Sequence, residues 1–257
     1  MVDVSVNIIT RNRPFYLNRA INSVLKQKDC DFELVIIDTG NGINKNLVEK
    51  FNDSRIKYHV YTTQHLADAR NFALNVSQGE YVSILDDDDD WITDDKLSKQ
   101  LSIFKTYNNI SLVGTQIYRF YPNGKEESIK HYPESNSEII KSMLIENPFC
   151  HSATMFKRNL ALEVGGYKPV KGLWNINEYE LWLELGLRGA VLNLPDTMVT
   201  YTVWTNSMTL RHRIKLYIKD FRMAFEYRDK YPYFGRALWR YTIKYPVKKV
   251  IRNIGLA

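Results

Sequence analysis

The stretch Tyr81–Trp91, with the sequence YVSILDDDDDW, decides the fold and the chemistry that this chain can carry. Its first five residues form the apolar run of a buried strand, and five consecutive aspartates, Asp86–Asp90, follow directly. A run of acids usually marks a solvated, disordered segment, but here a strand precedes the run and Trp91 follows it. Carboxylates at the end of a rigid strand predict a site for Mg²⁺ or Mn²⁺, which prefer oxygen ligands.

The simpler interpretation of these aspartates is an acidic turn that caps the helical pattern beginning at Asp94. Carboxylates stabilise helix N-termini by accepting backbone hydrogen bonds and by opposing the helix dipole. One or two aspartates suffice for that purpose. The length of the run therefore favours a site for a metal and a phosphate.

Composition predicts a globular enzyme-sized domain, alone or with an appendage. The chain has 257 residues, of which 44% are hydrophobic. Its two cysteines, Cys30 and Cys150, have no metal-knuckle spacing, and so few thiols favour a reducing compartment. No charged leader precedes the first strand pattern, and no window approaches the ~18 apolar residues of a membrane span. We therefore expect a cytoplasmic protein without a signal peptide.

The net charge of +6 is unevenly distributed. Residues 209–257 contain 13 Lys and Arg against three Asp and Glu, a net charge of +10, so the first 208 residues carry −4. This asymmetry predicts two regions, an acidic body at 1–208 and a basic segment at 209–257 that meets an anionic surface. We expect no nucleic-acid partner, because the acidic body would repel a phosphate backbone.

Strand and helix patterns alternate through the first half, which predicts a doubly wound, mostly parallel α/β sheet with flanking helices. The predicted strands are Val4–Thr10, Glu33–Asp38, Ile56–Tyr61 and Tyr81–Leu85. The first predicted helix begins at Pro14. Further helices are predicted at Leu47–Phe51, at Leu66–Val76 with Gly79 as its C-cap, and at Lys96–Tyr107. Ligands of such sheets bind beyond the carboxyl ends of the strands. Thr10, Asp38 and the aspartates all lie at such ends, which favours a nucleotide site.

The second half is more mixed. Strands are predicted at Leu112–Tyr121 and Ser152–Phe156, with Pro122–Gly124 as a hairpin turn after the first. Helices are predicted at Ser137–Ile145 and at Glu178–Leu187, whose apolar stripe includes Trp182.

The basic C-terminal segment has a pattern of its own. Basic residues recur every four positions from Arg236 to Arg252, beside an apolar stripe that runs from Trp239 to Ile254. On a helix this pattern is typical of an interfacial membrane helix, although Pro246 would kink or split it. The alternative is a helix packed on the body, with its Lys and Arg side chains merely solvated.

Several linked motifs resemble the family-2 glycosyltransferases, which have the GT-A fold, over roughly residues 4–205. These motifs are Val4–Pro14, Leu34–Asp38, Ala69–Asn71, Gly79–Tyr81, Leu85–Asp89, Gly165–Tyr167 and Glu178–Trp182. The resemblance implies a nucleotide-binding half at 1–110 and an acceptor-binding half at 111–208. It also implies a nucleotide-sugar donor, UDP-linked in our expectation, and Mn²⁺ or Mg²⁺ as cofactor.

The resemblance implies roles for individual residues on the donor side. The residues implied to bind the nucleotide are Thr10, Arg11, Asn12, Arg13, Asp38, Arg70, Asp86 and Asp87. Of these, Thr10, Arg11 and Asp38 would line the base and ribose, and Arg70 would reach the base or the diphosphate. Asp88 would ligate the metal directly, Asp86 through water, and Asp87 would bind the ribose hydroxyl. The alternative for Arg70 is a purely structural role, as an ion pair on the helix surface.

On the acceptor side, the resemblance implies that Glu178 is the catalytic base of an inverting transfer. The alternative for Glu178 is a structural role, as a negative charge at the helix N-terminus that complements the helix dipole. The candidate acceptor contacts are His151, Trp91, Asn177 and Trp182, although a lone His before a strand is more often structural. Three departures from the family pattern are Arg11 in place of an aromatic residue, Thr39 in place of an acid, and Asn177 in place of the acid before the base, with Glu178 where Asp is the more common base.

The function expected is therefore metal-dependent transfer of one sugar, with inversion, to a hydroxyl of a glycan or lipid-linked oligosaccharide. The family implies bacterial surface polysaccharide synthesis, and the basic segment favours a place at the inner face of the cell membrane. One alternative is a nucleotidyltransferase that makes a sugar nucleotide, although Thr10–Pro14 contains no glycine for a triphosphate loop. The other is a non-enzymatic membrane or nucleic-acid adaptor acting through the basic tail.

Overall fold

The structure, a computed structural model, describes residues 2–124, 127–169, 178–204 and 213–244. The strands are β1 Val4–Thr10, β2 Phe32–Asp38, β3 Ile56–Val60, β4 Tyr81–Ile84, β5 Asp90–Trp91, β6 Ile110–Phe120, β7 Ser128–Lys130, β8 Met155–Lys157 and β9 Ala190–Thr202. The helices are α1 Pro14–Leu25, α2 Lys45–Glu49, α3 Leu66–Val76, α4 Lys96–Thr106, α5 Asn136–Ser142, α6 Arg158–Glu163, α7 Glu178–Gly186, α8 Arg213–Glu226 and α9 Phe234–Trp239. A 3₁₀ turn covers His151–Ala153, and a π-helical turn covers Arg240–Lys244.

The strands form one sheet in the order β3-β2-β1-β4-β8-β6-β9-β5, and β7 pairs with β6. The first four strands of that order are parallel, and β1 lies between β2 and β4. The chain therefore reverses its direction of winding beside β1. In an open α/β sheet this reversal leaves a crevice at the carboxyl ends of the strands, where ligands bind. Thr10 and the aspartates that follow β4 both lie at this crevice.

Strand β2 shows why helices cover both faces of the sheet. All seven of its residues are buried, as expected of a central parallel strand. Leu34 and Ile36 contact the cluster that includes α1 and α4, whereas Val35 and Ile37 contact α3 on the opposite face. Because side chains alternate along a strand, the sheet is packed between two helical layers.

Two of the sequence predictions are wrong in detail. Gly79 does not cap α3, which ends at Val76 and is followed by Ser77 in an extended conformation. Gly79 instead allows close packing, because a Cβ there would lie 2.5 Å from the backbone N of Ser5. The strand predicted at Ser152–Phe156 begins only at Met155, after the 3₁₀ turn, and runs antiparallel between β4 and β6.

The described part of the C-terminal segment packs on the body. Helices α8 and α9 share a core cluster with Trp182 of α7, through residues such as Met223, Tyr227 and Ala237. Trp239 and Ile243 are nevertheless 53% and 51% exposed. The predicted basic repeat beyond residue 244 lies outside the described residues, and the division at residue 208 stays a prediction. No helix of the described ranges is long and apolar enough to span a bilayer.

Candidate active site

The five aspartates after β4 have separate partners. Asp87 is almost fully buried and accepts hydrogen bonds from the Thr10 hydroxyl at 2.8 Å and from Arg13 Nη1 at 2.7 Å. Burial and the neighbouring carboxylates of Asp88 and Asp86 raise the pKa of Asp87 to about 7, although Arg13 and Thr10 oppose the shift. Thr10 and Arg13, which the sequence assigns to the donor site, are thus joined to the aspartate loop.

Asp88 lies at the open side of the loop. Its Oδ2 accepts from Arg13 Nη2 at 3.1 Å and from the indole N–H of Trp204 at 2.9 Å, and its side chain is 21% exposed. Its backbone carbonyl accepts from Arg19 and from the Thr202 hydroxyl. The backbone is therefore held by two partners, and the carboxylate is held by Arg13 and Trp204 while it stays partly exposed.

Asp89 and Asp90 anchor the loop. Asp89 is 1% exposed and accepts from the Ser152 hydroxyl at 2.5 Å and from the backbone N–H of Thr202 at 2.8 Å. Burial, followed by the charges of Asp86 and Asp88, raises the pKa of Asp89 well above its ordinary value. Asp90 forms an ion pair with Arg19 at 2.7 Å. The last two aspartates thus fix the loop to its neighbours, which explains why the run is longer than an acidic cap requires.

Asp86 links the loop to the second half of the chain. Its Oδ1 lies 3.0 Å from His151 Nδ1 and 3.5 Å from Arg70 Nη2. Burial alone would raise the pKa of Asp86, but His151 and then Arg70 outweigh it and hold the pKa well below its usual range. The carboxylate is therefore ionised and compensated by its neighbours.

Glu178, the first residue of α7, lies on the other side of Arg70. The Arg70 Nη1 donates to Glu178 Oε2 at 3.2 Å, and the Glu178 side chain is 16% exposed. Burial would raise the pKa of Glu178, but Arg70, His151 and Lys219 together lower it. A carboxylate that is ionised at neutral pH and still partly accessible has the properties of a general base. Arg70 is thus a buried bridge between two carboxylates rather than a surface ion pair.

Tyr167 completes this network and had no role in the sequence analysis. Its hydroxyl lies 3.2 Å from His151 Nε2, and Arg70 lies over its ring at 5.2 Å from the centroid. Its backbone N–H and C=O both bond the side chain of Asn71. The Gly165–Tyr167 motif was the sequence feature that could have indicated this role, because Tyr167 contacts both Asn71 of α3 and His151.

Asp38 is enclosed at the end of β2. It is 0% exposed, and its carboxylate accepts from the Gly40 backbone N–H, the Asn44 side chain and the Tyr58 hydroxyl. These three bonds fix the loop after β2, and the two oxygens of a carboxylate can accept about four hydrogen bonds. Asp38 therefore shapes this loop, and its direct contact with a nucleobase stays a prediction.

The loop after β1 borders the one that Asp38 shapes. Asn12 adopts a left-handed conformation with a φ of 54°, and its Oδ1 accepts from the Asn41 backbone N–H at 3.2 Å. Arg11 is exposed beside it. These two residues remain accessible at the crevice, as the nucleotide-site prediction requires.

The predicted acceptor contacts do not all reach the crevice. Trp91 is 4% exposed and donates its indole N–H to the Ser152 carbonyl at 3.0 Å. Trp182 is 0% exposed and its ring lies 6.1 Å from that of His151. Both tryptophans are core residues beneath the site, so the prediction that they contact the acceptor directly is wrong. Asn177 lies outside the described residues.

The carboxylates of the aspartate loop fit a divalent cation that takes its other ligands from water and from a substrate phosphate. Within the described residues, no group of three or more His, Cys, Asp or Glu side chains converges on one metal position. Mg²⁺ and Mn²⁺ commonly use one or two carboxylates and complete their shell with water and substrate phosphates. Asp88 and Asp86 both fit such a ligand, since each has one carboxylate oxygen with partners, Oδ2 of Asp88 and Oδ1 of Asp86, and their side chains are 21% and 36% exposed.

Comparisons with known proteins bear on this site. The family model described as glycosyl transferase family 2 matches residues 5–165. The chain is 31% identical over 191 residues, 71% of each protein, to the O-antigen biosynthesis glycosyltransferase WbnJ of Escherichia coli. It is 37% identical over 114 residues to the UDP-Glc:alpha-D-GlcNAc-diphosphoundecaprenol beta-1,3-glucosyltransferase WfgD of the same species, covering 43% of this chain and 44% of WfgD.

Among solved structures, the chain is similar to residues 1–349 of TarS from S. aureus in complex with UDP-GlcNAc. The TM-score is 0.69 at 19% sequence identity, and the match covers 88% of this chain and 66% of the TarS chain. At that identity the similarity concerns the fold alone.

Proposed function

The chain belongs to glycosyl transferase family 2, and from this premise we propose that it transfers one hexosyl unit, with inversion, from a UDP-sugar to a hydroxyl group. Glycosyltransferase activity itself follows from the family. The observation that carries the finer proposal is the bridge of Arg70 between Glu178 and Asp86. It supports the proposal because one side chain contacts both the candidate base and a candidate donor-binding aspartate.

In the proposed reaction, Glu178 accepts the proton of the acceptor hydroxyl as its oxygen attacks the anomeric carbon. A new C–O bond forms on the face opposite the leaving group, and the bond from the anomeric carbon to the β-phosphate oxygen breaks. The electron pair of that bond leaves with the nucleoside diphosphate. One displacement of this kind inverts the anomeric configuration. The depressed pKa of Glu178 supports this role, because the base must be ionised before it can accept the proton.

Asp88 would hold the divalent cation, Mn²⁺ or Mg²⁺. When bound, such an ion neutralises the charge that develops on a leaving diphosphate. Arg13 supports this assignment, since it donates to both Asp87 and Asp88 and so fixes the two carboxylates relative to each other. Asp87 would then orient the ribose, as the family resemblance implies.

The nucleotide would bind along the loop Thr10–Arg13. The exposed guanidinium of Arg11 can stack on a nucleobase in place of an aromatic ring. UDP is favoured as the carrier because the names of WfgD and of the TarS complex both contain a UDP-sugar.

The acceptor would be a glycan or a lipid-linked oligosaccharide in bacterial surface polysaccharide synthesis. The O-antigen role in the name of WbnJ and the diphosphoundecaprenol acceptor in that of WfgD support this proposal. The net charge of +10 over residues 209–257 would draw the enzyme to anionic lipid at the inner face of the cell membrane. Family membership disfavours the nucleotidyltransferase and adaptor alternatives.

The test is the thermal stability of the pure protein with UDP, GDP, dTDP or CDP, each with Mn²⁺ or with EDTA. A ligand that binds only the folded state raises the unfolding midpoint. We expect UDP to raise the midpoint with Mn²⁺ and to lose most of that effect in EDTA. A rise with another nucleotide alone would refute the UDP assignment. No rise with any nucleotide at millimolar concentration would refute the proposed donor site.

A further inference from the structure

Trp204 follows the end of β9 by two residues and had no role in the sequence analysis. We propose that Trp204 is a positioning residue for the divalent cation, because its indole N–H orients the Asp88 carboxylate and leaves the Oδ1 atom of Asp88 for the metal. This inference rests on the proposed function, since it assigns the residue that orients the metal ligand of the same site. Trp204 itself would not ligate the cation, because an indole offers only a hydrogen-bond donor.

Both hydrogen bonds to the Asp88 carboxylate reach the same oxygen atom. Oδ2 accepts from the Trp204 indole at 2.9 Å and from Arg13 Nη2 at 3.1 Å. Within the described ranges, no protein group donates to Oδ1 of Asp88, and the side chain is 21% exposed. Each carboxylate oxygen has two lone pairs. Two donors therefore occupy Oδ2, and Oδ1 is the oxygen that is available to a cation.

The two donors differ in their effect on a cation at Asp88. Arg13 is shared between two carboxylates, since its Nη1 also donates to Asp87 Oδ1 at 2.7 Å. The positive charge of its guanidinium also repels a nearby cation. The indole of Trp204 is neutral and gives its single N–H to Asp88. Trp204 is therefore the donor that orients the carboxylate without opposing the charge of the metal.

The ring of Tyr16, in the first turn of α1, contacts both donors. Its centroid lies 5.5 Å from that of Trp204, and the ring planes meet at 88°, which is an edge-to-face contact. The guanidinium carbon of Arg13 lies 4.9 Å from the same Tyr16 centroid. Tyr16 thus closes a ring of contacts around the Asp88 carboxylate and limits the rotation of the indole.

The backbone beside Trp204 is tied to the aspartate loop. The Thr202 hydroxyl donates to the Asp88 carbonyl at 2.6 Å, and the Thr202 backbone N–H donates to Asp89 Oδ1 at 2.8 Å. Together with the indole bond, three hydrogen bonds from residues 202–204 reach this loop. The distance between the indole and the Asp88 carboxylate is therefore fixed by the backbone as well as by the side chains.

The test compares Trp204→Phe with Trp239→Phe, a control in α9 at a residue that is 53% exposed. Phenylalanine keeps an aromatic ring against Tyr16 and removes the N–H. Titration calorimetry measures the Kd of UDP over a range of Mn²⁺ concentrations and in EDTA. In Trp204→Phe, we expect the Mn²⁺ concentration that half-maximally tightens UDP binding to rise about tenfold to a hundredfold, the usual cost of losing a group that orients a metal ligand. The Kd of UDP in EDTA should be unchanged, and Trp239→Phe should behave like the wild type.

The fluorescence of Trp204 gives a second readout. Mn²⁺ is paramagnetic and quenches the emission of a nearby indole, whereas Mg²⁺ does not. With UDP present and each protein saturated with metal, Mn²⁺ should quench a component of the wild-type emission that Trp204→Phe lacks. Mg²⁺ should not quench this component. The unfolding midpoint without ligands should be the same in both proteins, because only the orientation of one carboxylate changes.

Two results would overturn the proposal. One is the same Mn²⁺ dependence of UDP binding in Trp204→Phe as in the wild type. The other is a loss of UDP affinity that is as large in EDTA as in Mn²⁺, which would make Trp204 a contact of the nucleotide or a structural residue. Failure of the proposed metal site would look different, because Mn²⁺ would then have no effect on UDP binding to the wild type.

Discussion

Glu178 is the residue whose surroundings best match a chemical task, since Arg70 and His151 keep its carboxylate ionised. We predict that Glu178→Gln lowers kcat by about 10²–10⁴-fold, the usual contribution of a general base. UDP affinity with Mn²⁺ should stay within about twofold, because the amide keeps the shape of the side chain. Single-turnover assays and calorimetry measure the two quantities.

The control for this substitution is Glu180→Gln on the same helix, a similarly half-buried carboxylate whose ion pair is with Lys168 and not with Arg70. It should keep full activity. Normal turnover by Glu178→Gln would exclude Glu178 as the base.

Asp88 is the side chain that we expect to bind the metal. In Asp88→Asn, Mn²⁺ should no longer tighten the binding of UDP, because the amide is a far weaker ligand than a carboxylate. Titration calorimetry with UDP in Mn²⁺ and in EDTA measures this difference. Asp94→Asn, which removes an exposed pair with Lys28, is the control and should behave like the wild type. If Mn²⁺ still tightens UDP binding in Asp88→Asn, the ligand is another residue, with Asp86 the next candidate.

Lys96 is a fully buried lysine that no mechanism uses. Its Nζ donates to Gln100 Oε1 at 2.7 Å and lies 4.2 Å from the Trp91 ring centroid, and burial lowers the pKa of Lys96 well below the ordinary value. Between the lowered pKa of the folded state and 10.5, the unfolded chain therefore binds more protons at Lys96 than the folded chain does. The contribution of Lys96 to stability must then increase as the pH rises toward 10.5.

We predict that the free energy of unfolding of the wild type rises relative to Lys96→Met between pH 7 and 9. The change should be up to about 1.4 kcal/mol per pH unit, measured by urea denaturation. Lys99→Met, which removes an exposed lysine, should show no such slope. A difference that is constant with pH would mean that Lys96 stays protonated in the folded state.

At the scale of elements, the loop after β2 depends on one glycine. A Cβ on Gly40 would lie 2.1 Å from Asn12 Oδ1 and 3.0 Å from Asp38 Oδ1. Gly40→Ala must therefore displace Asn12 or the loop, and both border the proposed nucleotide site. We predict a loss of UDP affinity of about tenfold or more, since a shift of about 1 Å at a binding site commonly has such an effect.

Gly235→Ala in α9 is the matched control, because its Cβ would meet no atom within 4 Å. It should leave UDP affinity unchanged. Equal affinity in Gly40→Ala, measured by calorimetry, would mean that this loop is not part of the nucleotide site.

The elements themselves were largely predictable. Strand β1, helix α3 and the start of α1 at Pro14 match their predicted bounds, because periodic apolar residues and a proline at the first turn are local signals. The wrong start of β8 has a tertiary cause. Apolar Ala153 belongs to the 3₁₀ turn that carries His151, and periodicity alone cannot separate such a turn from a strand.

The whole molecule has the GT-A fold class that the sequence motifs predicted, and its C-terminal segment is tied into the core. Ala237 and Tyr241 are buried against the body. Removing residues 236–257 would therefore expose part of the core. A loss of membrane binding in that variant could then come from loss of folding as well as from loss of the basic residues. A cut after Lys244 avoids this problem and still removes Lys248, Lys249 and Arg252.

We predict that deletion of 245–257 weakens binding to vesicles that contain phosphatidylglycerol, at about 0.1 M salt. Each basic residue near an anionic surface contributes about 1 kcal/mol. The unfolding midpoint and activity on a water-soluble acceptor should not change, and pure phosphatidylcholine vesicles are the control. Unchanged co-sedimentation with the anionic vesicles would exclude this segment as the membrane contact.

The sequence by itself determined the family and the parallel arrangement of the first strands, and it made the aspartates after β4 the candidate donor site. Those signals are local, because strand patterning, Gly and Pro positions and clustered carboxylates can be recognised within a few residues. Only the tertiary structure decided the surroundings of each aspartate, since Asp87, Asp88 and Asp89 differ in burial and in the partners contributed by β1, β9 and the 3₁₀ turn.

The tertiary structure likewise decided that Asp38 is enclosed and that Arg70 contacts both Asp86 and Glu178, of which Glu178 lies 108 residues after Arg70 in the chain. A side chain's charge and hydrogen-bond partners depend on distance in space, and the folded core alone sets that distance.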